Sequence, residues 1–243
     1  MNAIKGIKTL VGKIYEIIKQ IVYYPKLVLD DVDYDEYWKV KKKNKLGIPN
    51  NWQKQRAEWI ANRIDPKSTV LDIGCGDGAV LLYMLKQKEF VAIGADISDY
   101  VLNFLNSKKI KTIKIDINNL KEIENLPEVD YILLLEVLEH IPNPEKLLLT
   151  VLKKAKKGVF FSIPNTGYIS YRLRLLFGSF PVQWNLHPGE HLRFWTYKDI
   201  KWWLKELNLY HKSEIYVYEG IPFLNKIWKN LFGAGILVYI KKW

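Results

Sequence analysis

Cysteine is nearly absent. Cys75 is the only one in 243 residues, which excludes an internal disulfide and a cysteine-rich zinc site and fits a reducing, cytoplasmic setting. Long hydrophobic runs are missing too. No stretch approaches the roughly 18 consecutive apolar residues of a bilayer-spanning helix, and the longest runs, such as 236–240, are strand-sized. Acids are in deficit: 37 Lys and Arg face 26 Asp and Glu, a formal net charge of +11. Global disorder is excluded, because 49% hydrophobic and 26% charged residues lie near the globular average. The length suits one large domain, or one domain with appendages.

The charge is unevenly spread. Residues 1–29 hold five Lys and one Glu. Residues 30–38 hold Asp30, Asp31, Asp33, Asp35 and Glu36 with no base, and residues 39–56 hold seven Lys or Arg with no acid. Most of the basic excess thus falls in the first quarter of the chain. An anionic partner fits, whether membrane surface, nucleic acid or acidic substrate; a Lys-rich compositional habit fits equally. Residues 1–24 lack proline, and apolar residues recur at Ile4, Ile7, Val11, Ile14, Ile18 and Val22 with lysines largely opposite. This spacing predicts an amphipathic helix that ends before Pro25. Lys13, Glu16 and Lys19 interrupt it too often for a secretory signal. Such a helix lies flat on an anionic membrane, or packs its stripe on the body or on a second copy in a homodimer.

From Val70 onward short β-rich runs alternate with helical segments. Strands are expected at 69–73, 91–97, 111–117, 131–135, 159–163, 213–218 and 235–241. Helices are expected at 52–64, 79–86, 100–106, 144–153 and 198–207. The pattern predicts an α/β fold, a Rossmann-like, seven-stranded, mostly parallel sheet flanked by helices. Residues 164–195 read as a long irregular insertion rich in aromatics, Arg, Pro and Gly, a length that usually serves function.

The sharpest motif is VLDIGCGDG, residues 70–78. A buried strand ends in Asp72 and is followed by Gly74, Cys75, Gly76, Asp77 and Gly78 before a helix. The spacing is G-x-G-x-G rather than the G-x-G-x-x-G of dinucleotide folds. Carboxylates beside the turn repel a phosphate but suit an ammonium group. S-adenosylmethionine offers an ammonium and a sulfonium and carries no phosphate. Asp96, with Ile97, ends the second strand, where an acid can hold both ribose hydroxyls. Asp116 and Ile117 end the third strand and are placed to meet an adenine. Glu136, in LLEVLEHI, ends the fourth. Individually, Gly78 also fits helix packing, Asp77 a helix cap and Cys75 a small buried filler.

Together VLDIGCGDG, GADIS, KIDI and LLEVLEHI resemble class I S-adenosylmethionine-dependent methyltransferases over about residues 52–209. FFSIPNTGYISYRLRLLFGSFP and HLRFWTYKDI are similar to the MetW-like and UbiG-like branch, the methyltransferase type 11/12 group. The resemblance implies an S-adenosylmethionine cofactor and an oxygen acceptor on a sugar, lipid-linked or small-metabolite molecule. It implies a methyltransferase domain over 51–243. The chain departs from MetW-like proteins in its N-terminal extension, residues 1–50, yet YDEYWK within it resembles the entry segment of such methyltransferases, which implies a lid in which Tyr37 and Trp38 cover the methionine end of the cofactor.

At the acceptor end, Asn165, Tyr168, Arg172, Arg174 and His187 are the candidate substrate-binding residues, the arginines for an anionic group. A hydroxyl acceptor must lose a proton, and a histidine is the natural base, so His140 and His191 are the catalytic candidates. Glu136-x-x-Glu139-His140 with His191 also resembles the metal site of small-RNA 3′-end methyltransferases. The same string is widespread in members of this fold that use no metal, so no metal ligand is assigned. The rival expectations are an RNA methyltransferase and a non-catalytic membrane- or partner-binding protein; nucleic acid is disfavoured by the lack of an obvious RNA-binding module. Residues 221–233 form a second basic-aromatic stretch. With residues 1–29 it motivates contact with the inner face of an anionic membrane.

Overall fold

The computed structural model describes residues 2–24, 33–42, 45–183 and 190–242. Seven strands form one sheet: β1 (Thr69–Ile73), β2 (Val91–Asp96), β3 (Lys111–Lys114), β4 (Val129–Leu135), β5 (Ala155–Pro164), β6 (Ser213–Tyr218) and β7 (Gly235–Lys241). Their order is β3-β2-β1-β4-β5-β7-β6. The first five are parallel, and β7 runs antiparallel between β5 and β6. The helices are α1 (Asn2–Val22), α2 (Tyr34–Lys42), α3 (Asn51–Ala61), α4 (Ala79–Leu85), α5 (Asp99–Ser107) and α6 (Leu120–Glu124), then α7 (Pro144–Lys154), α8 (Ile169–Leu176), α9 (Tyr197–Glu206), α10 (Leu224–Ile227) and α11 (Lys229–Phe232).

Strand alternation builds two cores. Leu71, Ile132, Leu134, Val159 and Phe161 face one side, against Leu147 and Val151 of α7 and Ile200 and Leu204 of α9. Val70, Leu133, Phe160 and Leu237 face the other, against Ala57 and Ile60 of α3 and Leu81 and Met84 of α4. Each fully buried Leu or Ile contributes about 1.5–3 kcal/mol, so the central strands need both helical layers. The helix starts are specified locally. Asn50 and Gln53 form a capping box at α3, Thr196 and Asp199 another at α9, and Ser98 caps α5.

Sheet order reverses between β1 and β4. That switch point opens a crevice outside the strand carboxyl ends, where β1 delivers Asp72 and β2 delivers Asp96. Three expectations shift. β3 stops at Lys114, leaving Ile115 to Ile117 to turn over the crevice. β5 is longer than expected because it is paired on both sides, by β4 and β7. The stretch 164–195 contains a regular helix, α8.

Segment α1 is helical as expected, and one of its sides packs on the body. Ile17 is buried with Tyr168 and Ala234, and Lys13 pairs with Glu219 at 2.7 Å. Among the described residues no helix is long and apolar enough to cross a membrane.

Candidate active site

A cavity of about 600 Å³ occupies the crevice. Its floor is the turn after β1. Gly74 and Gly76 have φ of +71° and +52°, a left-handed conformation that glycine adopts without steric cost. Gly78 also has positive φ, but a β-carbon there would meet Leu105 Cδ2 at 2.3 Å. It serves close packing of α4 on α5 and is not part of the cavity wall.

Asp72 lines this floor, is 2% exposed, and has an Oδ1 with no hydrogen-bond partner. Burial pushes its pKa up to about 8, with Arg56 opposing and Asp96 adding. A carboxyl left in this condition fits an incoming cation such as the cofactor's ammonium. Asp96 accepts from the Gly76 N–H at 2.8 Å and the Ser98 N–H at 3.0 Å. Those bonds hold it at the crevice edge, while burial raises its pKa. Cys75 lines the cavity, but burial pushes its thiol well above the usual range, so it is not an activated nucleophile.

Beyond β2 and β3, Ile97, Ile115 and Ile117 give an apolar slot beside Asp116 and Asn118. Asp116 accepts from the Asn118 N–H at 2.9 Å. This slot suits a flat base. Helix α2 covers the opposite wall with Tyr34, Tyr37, Trp38, Lys41 and Lys42. Two carboxylates fasten it. Asp35 accepts from Ser98 Oγ at 2.5 Å and the Tyr100 N–H at 3.2 Å. Asp77 pairs with Lys42 at 2.8 Å and accepts from the Gly47 N–H at 2.9 Å. Asp77 therefore ties the glycine turn to the α2 end of the chain.

Glu136 follows β4 at φ +57°, a strained conformation for a non-glycine residue. Its Oε1 accepts from Arg56 Nη1 at 2.7 Å, Ser162 Oγ at 2.7 Å and Tyr218 OH at 3.2 Å. The network spans α3, β5 and β6 and holds Glu136 at the cavity wall.

At the acceptor end, Glu139 is buried with both carboxylate oxygens unpartnered. Burial, then Glu136, pushes its pKa well above the usual range. His140 Nδ1 is hydrogen-bonded to the Glu190 carbonyl. The carbonyl can only accept, so Nδ1 carries the proton and Nε2 keeps a lone pair. The His140 and His191 rings meet edge to face, 4.7 Å between centroids. Burial lowers the pKa of His140. Burial, then His140, lowers that of His191 to about 4. Donor atoms of Glu139, His140 and His191 all lie within 4.8 Å of one another. Two imidazoles and a carboxylate could hold a divalent cation there. Glu136, engaged by Arg56, is not a member of that group.

Four substrate-side expectations do not reach the cavity. Asn165 is buried and donates through Nδ2 to the Gly233 carbonyl at 2.6 Å, while its Oδ1 accepts from the Gly167 and Tyr197 N–H groups. Tyr168 packs against Ile17 of α1. Arg172 donates to the Gly167 carbonyl at 2.6 Å. Arg174 is fully buried, and its Nη1 donates to the carbonyls of Gln20, Ile21 and Tyr23, each at 2.9 Å. Backbone carbonyls at the end of α1 are what this guanidinium satisfies. His187 lies outside the described residues. Among the described residues of this part of the chain, Pro164, Tyr171, Gln183, Glu190 and His191 line the cavity. Arg56, Tyr34 and Lys41 also line it; Tyr34 opens the YDEYWK tract but is not among its expected lid residues, only the cluster of lysines after that tract hinted at Lys41, and Arg56 carries no motif signal.

A family model described as a methyltransferase domain matches residues 48–213. The mitochondrial ubiquinone biosynthesis O-methyltransferase of Candida albicans is 32% identical over 166 residues, covering 63% of this chain and 50% of that protein. The ubiquinone biosynthesis O-methyltransferase of Dechloromonas aromatica is 31% identical over 166 residues, covering 63% of this chain and 70% of that protein. The chain thus spans about half the length of the first and somewhat more of the second. A solved S-adenosylmethionine-dependent methyltransferase from Archaeoglobus fulgidus superposes with a TM-score of 0.60 at 21% identity, covering 86% of this chain and all of that one; this likeness shows the fold. With the matched model spanning most of the chain and the glycine turn, acids and switch-point crevice in place, the chain belongs to the methyltransferase-domain family, in its class I S-adenosylmethionine-dependent form.

Proposed function

We propose that the protein transfers the methyl group of S-adenosylmethionine to a hydroxyl oxygen of a small or lipid-linked acceptor. The observation that carries the cofactor half is Asp72, a buried carboxyl with an orphaned oxygen on the floor of the crevice. It would face the ammonium, Asp96 the ribose hydroxyls, and Ile97, Ile115 and Ile117 the adenine. Trp38 and Tyr37 would close the methionine end.

The acceptor half is supported by the site's far wall, where Tyr171, Gln183, His140 and His191 line the same cavity. Methyl transfer is an in-line displacement. The acceptor oxygen forms a bond to the methyl carbon, and the carbon–sulfur bond breaks with its electron pair remaining on sulfur. The acceptor proton must leave, and the lone pair on His140 Nε2 would take it. Excluding water and holding the reactants aligned provide much of the rate.

A second reading concerns the same end. Glu139, buried and unpartnered beside two imidazoles, favours a divalent cation such as Mg²⁺ or Mn²⁺ held by Glu139, His140 and His191. Such an ion would lower the acceptor hydroxyl's pKa. The non-catalytic alternative gains nothing from the intact crevice.

The test is incubation of the full chain with methyl-labelled S-adenosylmethionine and three probes: a catechol, a monosaccharide and a short RNA duplex. Label on the catechol or sugar oxygen supports the reading. Label on the RNA terminus alone replaces the acceptor class. A cytoplasmic site of action, at or near the inner membrane face, belongs to the same reading.

A further inference from the structure

Helix α1 carries two apolar stripes. One, centred on Ile17 and Ile21, packs on the body with Tyr168 and Ala234. The other consists of Val11, Ile14, Ile18 and Val22 and faces solvent, Val22 at 71% exposure. An amphipathic helix needs only one such stripe to dock. The second stripe has no occupant among the described residues.

Two neighbours of α1 repeat the pattern. At its C-terminal end Arg174 clamps the last carbonyls, which places the end of α8 beside α1. There Leu175, Leu176 and Phe177 are exposed, Leu176 at 76%. At its middle, Lys13 bonds Glu219, and Ile221 packs by Ile17. The chain just beyond exposes Phe223, Ile227 and Trp228, Ile227 at 81%. Exposed apolar side chains gathered on neighbouring segments in this way mark an interaction site.

The charges on these segments select the occupant. On stretches 11–24, 169–183 and 219–234 the exposed charges are Lys19, Lys226 and Lys229 against Glu16; Lys13 is paired with Glu219, and Arg174 is buried on backbone carbonyls. Apolar side chains and interfacial aromatics amid an excess of positive charge match the headgroup–acyl boundary of an anionic bilayer. A protein partner would need no such one-sided charge.

We infer that α1, the end of α8 and the segment 223–228 form one docking surface for an anionic lipid bilayer. The surface is tied to the proposed active site, because α8 exposes Leu176 on one side and places Tyr171 in the cavity wall on the other. Docking would present the acceptor end of the cavity to the lipid boundary. This deepens the proposed function by giving a lipid-linked acceptor a route, and it rests on that reading only for the acceptor.

The experiment is co-sedimentation of the full chain with vesicles of phosphatidylcholine alone and of phosphatidylcholine with 30% phosphatidylglycerol. The variant is Ile18→Glu, Leu176→Glu and Ile227→Glu together, all at exposed positions. Pelleting with the anionic vesicles that drops at least tenfold in the variant supports the surface. Calorimetric affinity for S-adenosylhomocysteine, unchanged in the variant, shows that the fold and crevice survive. Wild-type protein left in the supernatant, or a variant that pellets equally, overturns the inference. So does light scattering that shows a dimer broken by the same substitutions, which would give this face to a second copy. Failure here leaves cofactor binding standing, and failure of cofactor binding leaves the vesicle result standing.

Discussion

Trp38 lies across Gly76: a β-carbon on that glycine would meet Trp38 Cζ2 at 2.3 Å. The indole therefore closes on bare backbone at the point where the glycine turn meets helix α2. A Gly76→Ala substitution strains a residue at φ +52° and displaces the indole. Its expected effect is a loss of affinity for S-adenosylhomocysteine of about tenfold or more, some 1.4 kcal/mol, with an unchanged circular dichroism spectrum. Trp38→Ala removes the cover without straining the turn, so its loss should be smaller. Titration calorimetry on both variants separates the two effects.

Asp72 makes the protein sensitive to pH in a defined direction. Its folded pKa of about 8 lies far above that of a free aspartate. Between those values the folded chain holds a proton that the unfolded chain releases. The contribution of this group to stability is fully present at acid pH and is lost as pH rises toward 8. Urea unfolding from pH 5 to 8.5 should show a decline that Asp72→Asn flattens. Binding of the ammonium should reverse the preference. Cofactor-product affinity should then increase from pH 6 to 8 with proton release, measured by calorimetry in buffers of different ionisation enthalpy.

Arg56 and Glu136 form a mostly buried pair at 2.7 Å, with Ser162 and Tyr218 completing the bonding. Removing the cation alone leaves the Glu136 carboxylate half-buried at the cavity wall without its charge partner. Arg56→Met should cost about 3 kcal/mol of unfolding free energy. Adding Glu136→Gln should recover part of it. Equal stability of wild type and Arg56→Met would show the pair to be energetically idle.

A divalent ion at Glu139, His140 and His191 would stabilise the folded chain by mass action. At a hundredfold excess over its dissociation constant the gain is about 2.7 kcal/mol, and at this chain length roughly 5 °C or more in melting temperature. Mn²⁺ should produce that shift in the wild type and lose it in Glu139→Ala. No shift with either Mn²⁺ or Mg²⁺ would remove the metal reading and leave His140 as proton acceptor.

The placement of the glycine turn and strand-end acids around one crevice was legible in the sequence because its signals are local. Glycines in a tight turn and acids at strand ends do their work within a few residues of where they are read, as Asp72, Gly76 and Asp96 show. That Trp38 would lie at this crevice was legible for the same reason, an aromatic tract just ahead of the domain. Arg174 misled because an arginine on a helix reads as solvated or anion-binding. Its buried partners are carbonyls of α1, far off in the chain, and no local pattern encodes them. Arg56 was missed for the converse reason. Its role exists only once β4 and β5 bring Glu136 and Ser162 to it. No metal ligand was assignable from the Glu136-x-x-Glu139-His140 string, because spacing alone does not show that Glu139 sits with the two histidines while Glu136 turns to Arg56.

The most direct test is calorimetric titration of the full wild-type chain with S-adenosylhomocysteine, alongside Asp72→Asn and Asp96→Asn. One site per chain, weakened at least tenfold by each substitution, is the expected outcome. Absence of binding heat in the wild type at several temperatures, or binding indifferent to both carboxyl groups, would contradict the assignment of the crevice to the methyl donor.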